Sequence, residues 1–267
     1  MKIIFLNSYS PRTGHNFIAQ VLKIASNCEV IPHSHAETRL SLFLNSYYDL
    51  RKKLNLNKSA LKFMDSLFID NMRETIADSF SADYLLIKDT NQVGVEYLKL
   101  VFPNEYHILM FRDPRDTLVS IFKGMRFYHK SGFKNYIKKI GYKTGLYSYY
   151  YSKNYSNQFM KTIPKNIEDY YVIKYEDVVR RNNEELGKIL EIFNSSITVQ
   201  DFKNQIDEIS VINTSFHKEE TGGKGIWDTK KRTEKFNPIS RKKIPYLHRK
   251  GIELGSKKFR KKLGYIN

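Results

Sequence analysis

Residues Lys2 to Asn7 (KIIFLN) form a short run that is apolar on both alternating faces. A turn-rich stretch follows, Ser8-Tyr9-Ser10-Pro11-Arg12-Thr13-Gly14, and then apolar spacing at Phe17, Val21, Leu22 and Ile24 predicts a helix over Asn16 to Ile24. A strand apolar on both faces has to be covered on both, which points away from a sheet with one wet side. Strand, tight loop and helix is the opening unit of a nucleotide-binding α/β fold.

Similar short apolar runs recur. Glu29 to Pro32, Tyr84 to Lys88 (YLLIK), His107 to Phe111 (HILMF) and Tyr170 to Lys174 (YYVIK) read as further short strands. Between them, helical patterns are expected from Leu40 to about Phe80, over Val95 to Phe102, over Tyr142 to Met160, over Glu184 to Phe193 with Asn182 or Asn183 as its cap, and over Val199 to Ile209. Asp113 and Pro114 suit the N-cap and first position of a helix running through Thr117, Leu118, Val119 and Phe122. With no internal repeat or low-complexity linker, residues 1–267 read as one domain. The expected class is α/β, with three α/β/α layers around a central parallel sheet.

The charge is uneven. Of the 45 Lys and Arg against 28 Asp and Glu, the stretch Thr229 to Asn267 holds 14 basic residues and two acids, which is +12 of the net +17. Ile244, Leu247, Ile252, Phe259 and Leu263 within it predict a docked helix rather than a loose arm. Such a field suits an anionic partner, whether a nucleotide, a polyanion or an acidic membrane surface. The only cysteine, Cys28, excludes an intrachain disulfide framework and a multi-cysteine metal cluster. No run approaches the ~18 apolar residues of a membrane-spanning helix, and the opening residues are too short an apolar core for a signal peptide, so a cytoplasmic protein is expected.

The loop from Ser10 to Phe17 (SPRTGHNF) leaves a strand and opens a helix, where backbone N–H groups and the positive helix end meet an anion. Arg12 adds a fixed charge, and Thr13 and Asn16 add side-chain donors. Gly-x-x-x-x-Gly-Lys-Ser/Thr and Gly-x-Gly-x-x-Gly are both absent, so this loop suits a phosphate without the usual MgATP site. Arg112 and Ser120 lie at the end of one strand and two turns into the next helix, on the side of a parallel sheet where ligands collect.

Taken in order, these segments resemble the sulfotransferases that use 3′-phosphoadenosine 5′-phosphosulfate (PAPS), over most of the chain. SPRTGHNF resembles the family's 5′-phosphosulfate loop, usually Pro-Lys-Ser-Gly-Thr-Thr-Trp. FRDPRDTLVS is similar to its 3′-phosphate segment, Arg-x-x-x-Asp-x-x-x-Ser, and VIKYEDV to its strand ending in Tyr-Glu-Asp. Asn213 to Phe216 (NTSF) resembles the Thr-Ser-Phe that closes over adenine. Gly222-x-x-Gly225-x-Trp227 resembles the C-terminal Arg-Lys-Gly-x-x-Gly-Asp-Trp loop, and KKLGYIN the usual end of the domain. The resemblance implies a P-loop-like sulfotransferase fold, PAPS as co-substrate, no metal or flavin, and sulfuryl transfer to a hydroxyl, or an amine, of an acceptor. It implies contacts from Arg12, Thr13, Gly14, His15 and Asn16 at the 5′ end of the donor, with Arg12 also stabilising charge on the leaving phosphate and Phe17, in the family's tryptophan position, stacking on adenine. Arg112 and Ser120 fall on the 3′-phosphate, Tyr175, Thr214 and Phe216 on the adenine, and Lys218, Gly222, Lys224 and Gly225 in the C-terminal loop.

Departures from the pattern bear on catalysis. Arginine keeps the loop lysine's charge but cannot donate a proton. Glu220 and Thr221 stand where an Arg-Lys pair would precede Gly222. In one branch of the family a histidine base ends a strand two positions after a lysine, 22 residues before the 3′-phosphate arginine; here that position is Thr90. Polysaccharide-modifying branches use a glutamate soon after the second strand. The base candidates are therefore Glu37, then His35, then Asp89, with a carbohydrate or glycoconjugate as the expected acceptor. His33 and His35 as a metal pair lack a third and fourth ligand. The tyrosines from Tyr142 to Tyr155 offer either stacking surfaces for sugar rings or the buried side of a helix. Three other readings stand beside this one. A P-loop-type kinase would require magnesium and ATP. A nucleic-acid or polyanion binder would use the basic C-terminal face in a salt-sensitive way, with no specific nucleic acid expected. A degenerate fold would bind nucleotide without transferring.

Overall fold

The first run, β1 (Lys2–Ser8), is the centre of a parallel sheet in the computed structural model, which describes residues 1–32, 37–54, 57–124, 133–209, 211–212, 229–230 and 244–267. From it the chain continues through α1 (His15–Ser26), β2 (Glu29–Ile31), α2 (Leu40–Lys53), α3 (Lys58–Phe68), α4 (Met72–Asp78) and β3 (Tyr84–Asp89). Then come α5 (Val95–Val101), β4 (Tyr106–Phe111), α6 (Pro114–Gly124), α7 (Phe133–Lys143), α8 (Leu146–Thr162), β5 (Tyr171–Lys174) and α9 (Tyr175–Val179). The last elements are α10 (Asn183–Ile192), α11 (Val199–Glu208), a short antiparallel pair of β6 (Val211–Ile212) with β7 (Thr229–Lys230), and α12 (Tyr246–Lys262).

The main sheet has the order β2-β3-β1-β4-β5 with every pair parallel. Its central strands β1, β3 and β4 are short apolar runs because both faces are covered, whereas the edge strand β5 leaves Tyr171 and Val172 exposed. Ile4, Leu6, Leu86, Ile108, Met110 and Ile173 point to one face, where they pack with Ile18, Leu22, Leu186, Ile189, Phe202 and Ile206 from α1, α10 and α11. Ile3, Phe5, Leu85, Ile87, Leu109 and Phe111 point to the other, under Leu44, Leu98 and Phe259 from α2, α5 and α12. Burying each such side chain contributes about 1.5–3 kcal/mol, so the alternation fixes the register. That register sets Asn7 beside Asp89, Ser8 beside Met110, and Phe111 beside Lys174. The carboxyl ends of β1, β3, β4 and β5 therefore form one rim, and the strand order reverses there beside β1.

The caps follow the residue types. Asp113 Oδ1 accepts the Arg115 N–H at 2.9 Å, as expected for the cap of α6. Asn182, not Asn183, caps α10 by accepting the Glu185 N–H at 3.2 Å. Two boundaries differ from the sequence expectation. The tyrosine-rich stretch is not one helix, because the chain turns at Thr144 and Gly145 between α7 and α8. Tyr175, Glu176 and Asp177 leave the strand and open α9.

The basic C-terminal stretch contains the docked helix that its apolar residues predicted. α12 lies against α8 closely enough that a Cβ at Gly255 would stand 2.4 Å from the Tyr149 carbonyl oxygen. The α8 face toward it is a stripe of buried Ser148, Ser152 and Ser156, with the Ser148 hydroxyl bonded to buried His248. The α8 tyrosines divide accordingly. Tyr147, Tyr151 and Tyr155 are half-buried and in ring contact one turn apart, Tyr147 stacked on Tyr151 and Tyr155 tilted against it, with Phe122 against Tyr151, while Tyr150 is exposed. Among the described residues no helix is long and apolar enough to cross a membrane.

Candidate functional site

The loop between β1 and α1 is wound by two left-handed residues, Arg12 at φ 73° and Gly14 at φ 93°. Left-handed backbone at a residue bearing a Cβ costs about 1–2 kcal/mol, and such positions gather at binding loops. Alternation of right- and left-handed residues turns successive N–H groups toward one concavity suited to an anion. The loop is braced from within. Thr13 is fully buried and its hydroxyl donates to the Ser10 carbonyl at 3.0 Å, so what it can offer a ligand is its backbone N–H rather than its side chain. Gly14 opens α1, and the Tyr175 ring fills the space a side chain would need: a Cβ there would lie 2.2 Å from Tyr175 Cε2.

Arg12 and Arg112 are brought together. The Arg112 guanidinium donates from Nη1 to the Arg12 carbonyl at 2.9 Å and lies over the Tyr175 ring, 4.6 Å from its centroid. Phe17 meets the other side of this cluster, with its ring edge-on to Tyr175 at 5.9 Å. The Arg112 guanidinium, the Arg12 backbone and the rings of Tyr175 and Phe17 thus share one wall at the ends of β1, β4 and β5, and both arginines are half-buried. Burial pulls the Arg12 guanidinium below its usual pKa, yet an arginine remains charged at any working pH. Ser120 is half-buried on the second turn of α6, which starts two residues after Arg112.

A second cluster sits at the end of β3. The Lys88 ammonium donates to Asn16 Oδ1 at 3.2 Å, joining β3 to the first turn of α1. Burial lowers the Lys88 pKa, and the Glu37 carboxylate opposes that shift. The Thr90 hydroxyl donates to Glu37 Oε1. Beside them Asp89 is buried and accepts the Ser41 hydroxyl on Oδ2 at 3.1 Å. Burial raises its pKa to about 6, helped by the nearby Glu37 charge and opposed by the Ser41 bond. His15, 5% exposed, is pushed down to about 4 by burial and by the Lys88 charge, so it is neutral near pH 7.

Of the residues singled out in the sequence, Arg12, Thr13, Gly14, His15, Asn16, Phe17, Arg112, Ser120 and Tyr175 fall along this rim, and Glu37 and Asp89 beside it. His33, His35, Thr214, Phe216, Lys218, Gly222, Lys224 and Gly225 lie outside the described residues. Lys88 was missed as a site residue. Its signal was the Ile-Lys-Asp-Thr stretch, in which a lysine precedes Thr90 by two positions.

A model for the family described as the sulfotransferase family matches residues 10–198. No curated protein matches in sequence. Among solved structures the chain is similar to mouse sulfotransferase SULT7A1 complexed with PAP, at 15% identity and a TM-score of 0.38, covering 77% of this chain and 63% of that one. It is also similar to the sulfotransferase domain of the Synechococcus PCC 7002 olefin synthase, at 14% identity and 0.45, covering 99% and 95%. A third likeness is to retinol dehydratase in complex with androsterone and inactive cofactor PAP, at 14% and 0.39, covering 76% and 64%. The chain thus spans less than two thirds of the length of two of these three proteins.

Proposed function

We propose that this chain, which belongs to the sulfotransferase family, moves a sulfuryl group from PAPS to an acceptor hydroxyl. The observation that carries the reading is the Arg112 guanidinium bonded to the Arg12 carbonyl beside Tyr175. This bond joins the loop after β1 to the end of β4, which supports one arginine for each phosphate of the same adenosine. The donor set fits such a group in its chemistry: a helix-opening loop and an arginine for a 5′-phosphate, a second arginine and a serine for a 3′-phosphate, and aromatic rings for a base.

When bound, PAPS supplies the sulfuryl group, whose bond to the 5′-phosphate oxygen breaks as the acceptor oxygen bonds to sulfur, leaving adenosine 3′,5′-bisphosphate. The chain's part is positioning and charge stabilisation. Arg12 and the backbone N–H groups of the loop stabilise charge gathering on the leaving phosphate. Arg112 grips the 3′-phosphate, with Ser120 adding a hydroxyl. Phe17 and Tyr175 hold the adenine end. Lys88, tied to Asn16, adds a cation facing the loop from β3. Glu37 takes the proton from the acceptor hydroxyl. Its bond from Thr90 supports this choice, since Thr90 stands where the histidine-using branch has its base. A glutamate there favours a sugar hydroxyl as acceptor.

The test is transfer of labelled sulfate from PAPS to a panel of saccharide, phenol and amine acceptors. Glu37→Gln lowers turnover at least about 100-fold, the usual worth of a general base, while binding of adenosine 3′,5′-bisphosphate is unchanged. His35→Ala and Asp89→Asn keep turnover. A fully active Glu37→Gln overturns the base assignment.

A further inference from the structure

On the reading that Arg112 grips a 3′-phosphate, we infer that the last residues of the chain set the position of that arginine, with Arg260 and Tyr265 as its positioning residues. Arg112 is followed at once by Asp113, which is 5% exposed and joins three elements. Its carboxylate receives Arg260 of α12 through two bonds, Nε to Oδ1 at 2.9 Å and Nη2 to Oδ2 at 3.1 Å. Arg115 Nη2 also approaches it, at 3.5 Å, and Oδ1 caps α6. The Asp113 N–H donates to Glu176 Oε1 at 2.9 Å, and the other oxygen of Glu176 accepts the Tyr265 hydroxyl at 2.9 Å. Glu176 directly follows Tyr175, whose ring carries the Arg112 guanidinium. Both ends of the Arg112 site, its backbone and its ring support, are therefore tied to residues of the C-terminal segment.

The tie is built for a fixed geometry. A planar guanidinium on a carboxylate by two parallel bonds sets angle as well as distance. Tyr265 is turned back toward Glu176 by the end of α12. The Tyr265 N–H bonds to the Arg260 carbonyl at 2.9 Å and the Gly264 N–H to the Lys261 carbonyl at 3.1 Å, with Gly264 left-handed at φ 70°. This pair of bonds is the Schellman ending of a helix, and it needs the glycine for its positive φ. Arg260 and Tyr265, at opposite sides of that ending, engage Asp113 and Glu176 as one unit. Misplacing a gripping group by about 1 Å can cost on the order of 100-fold in a positioned site, so the unit acts on affinity without touching the nucleotide.

The experiment is calorimetry of adenosine 3′,5′-bisphosphate and of 5′-AMP on the full chain, with thermal melting alongside. In Arg260→Met the bisphosphate affinity falls about tenfold while that for 5′-AMP holds, so the ratio of the two drops. Arg260→Lys recovers part of the ratio. Tyr265→Phe, which removes one hydroxyl and is the milder change, lowers it about threefold. Lower melting temperatures with the wild-type ratio in both Arg260→Met and Tyr265→Phe would show a merely structural role and overturn the proposal. Failure of the underlying reading looks different: the wild-type chain itself would show no preference for the bisphosphate, or Arg112→Ala would leave the preference intact, and the positioning role would fall with it.

Discussion

Gly14→Ala tests how closely the loop and Tyr175 are fitted. An alanine Cβ would stand 2.2 Å from Tyr175 Cε2, 2.5 Å from Cδ2 and 2.9 Å from Cζ, so the ring has to move. That ring is buried, lies 5.9 Å from Phe17, and has the Arg112 guanidinium 4.6 Å from its centroid, so moving it disturbs the whole wall. Two costs add. Left-handed backbone at φ 93° costs an alanine about 1–2 kcal/mol, and overpacking a filled space costs about 1–3 kcal/mol. The expected loss is about 2–5 kcal/mol, measured by urea unfolding, together with weaker binding of adenosine 3′,5′-bisphosphate by calorimetry. A variant with wild-type stability and wild-type affinity would refute the argument that Tyr175 occupies the space Gly14 leaves.

Asp89→Asn removes a proton-binding step. The folded state holds the Asp89 proton up to about pH 6, whereas the unfolded chain releases it near the ordinary value of 3.8, so this group withdraws stability as pH rises between the two. Two units correspond to roughly 3 kcal/mol. His15 and His248, both held neutral down to about 4, act in the opposite sense, adding stability as pH rises toward 6.5. The quantity to measure is thus the variant minus wild type in unfolding free energy: it should climb from pH 4 to 7, and a flat difference contradicts the assignment. Gly255→Ala should lower stability by about 1–3 kcal/mol in urea unfolding, because the Cβ meets the Tyr149 carbonyl oxygen at 2.4 Å and helix backbone cannot give way; no change would mean the two helices have slack.

β1, β3 and β4 were legible because they are short, nearly continuous apolar runs bounded by turn residues, the pattern of strands covered on both faces. The caps at Asp113 and Asn182 were legible because they depend on one side chain and the N–H two or three residues on. The turn at Gly145 was hidden by tyrosines on both sides whose helical spacing continues across it. The orientation of the α8 tyrosines depends on α12, whose helix lies about a hundred residues away and takes the serine stripe, leaving the tyrosines to stack toward α6. The loop, Arg112 and Tyr175 were readable as local patterns at strand ends. The ties of Asp113 to Arg260 and of Glu176 to Tyr265 span 147 and 89 residues, and no local pattern records which distant charge a buried carboxylate will meet.

The central claim is that Arg12 and Arg112 serve the two phosphates of one nucleotide. Calorimetry of adenosine 3′,5′-bisphosphate and 5′-AMP on wild type, Arg12→Ala and Arg112→Ala tests it most directly. The wild-type chain should prefer the bisphosphate by about tenfold to a hundredfold, the worth of one charge-assisted contact. Arg112→Ala should abolish that preference and leave 5′-AMP binding in place, while Arg12→Ala should weaken both ligands alike. Equal binding of the two by wild type, with neither variant altering it, would contradict the account.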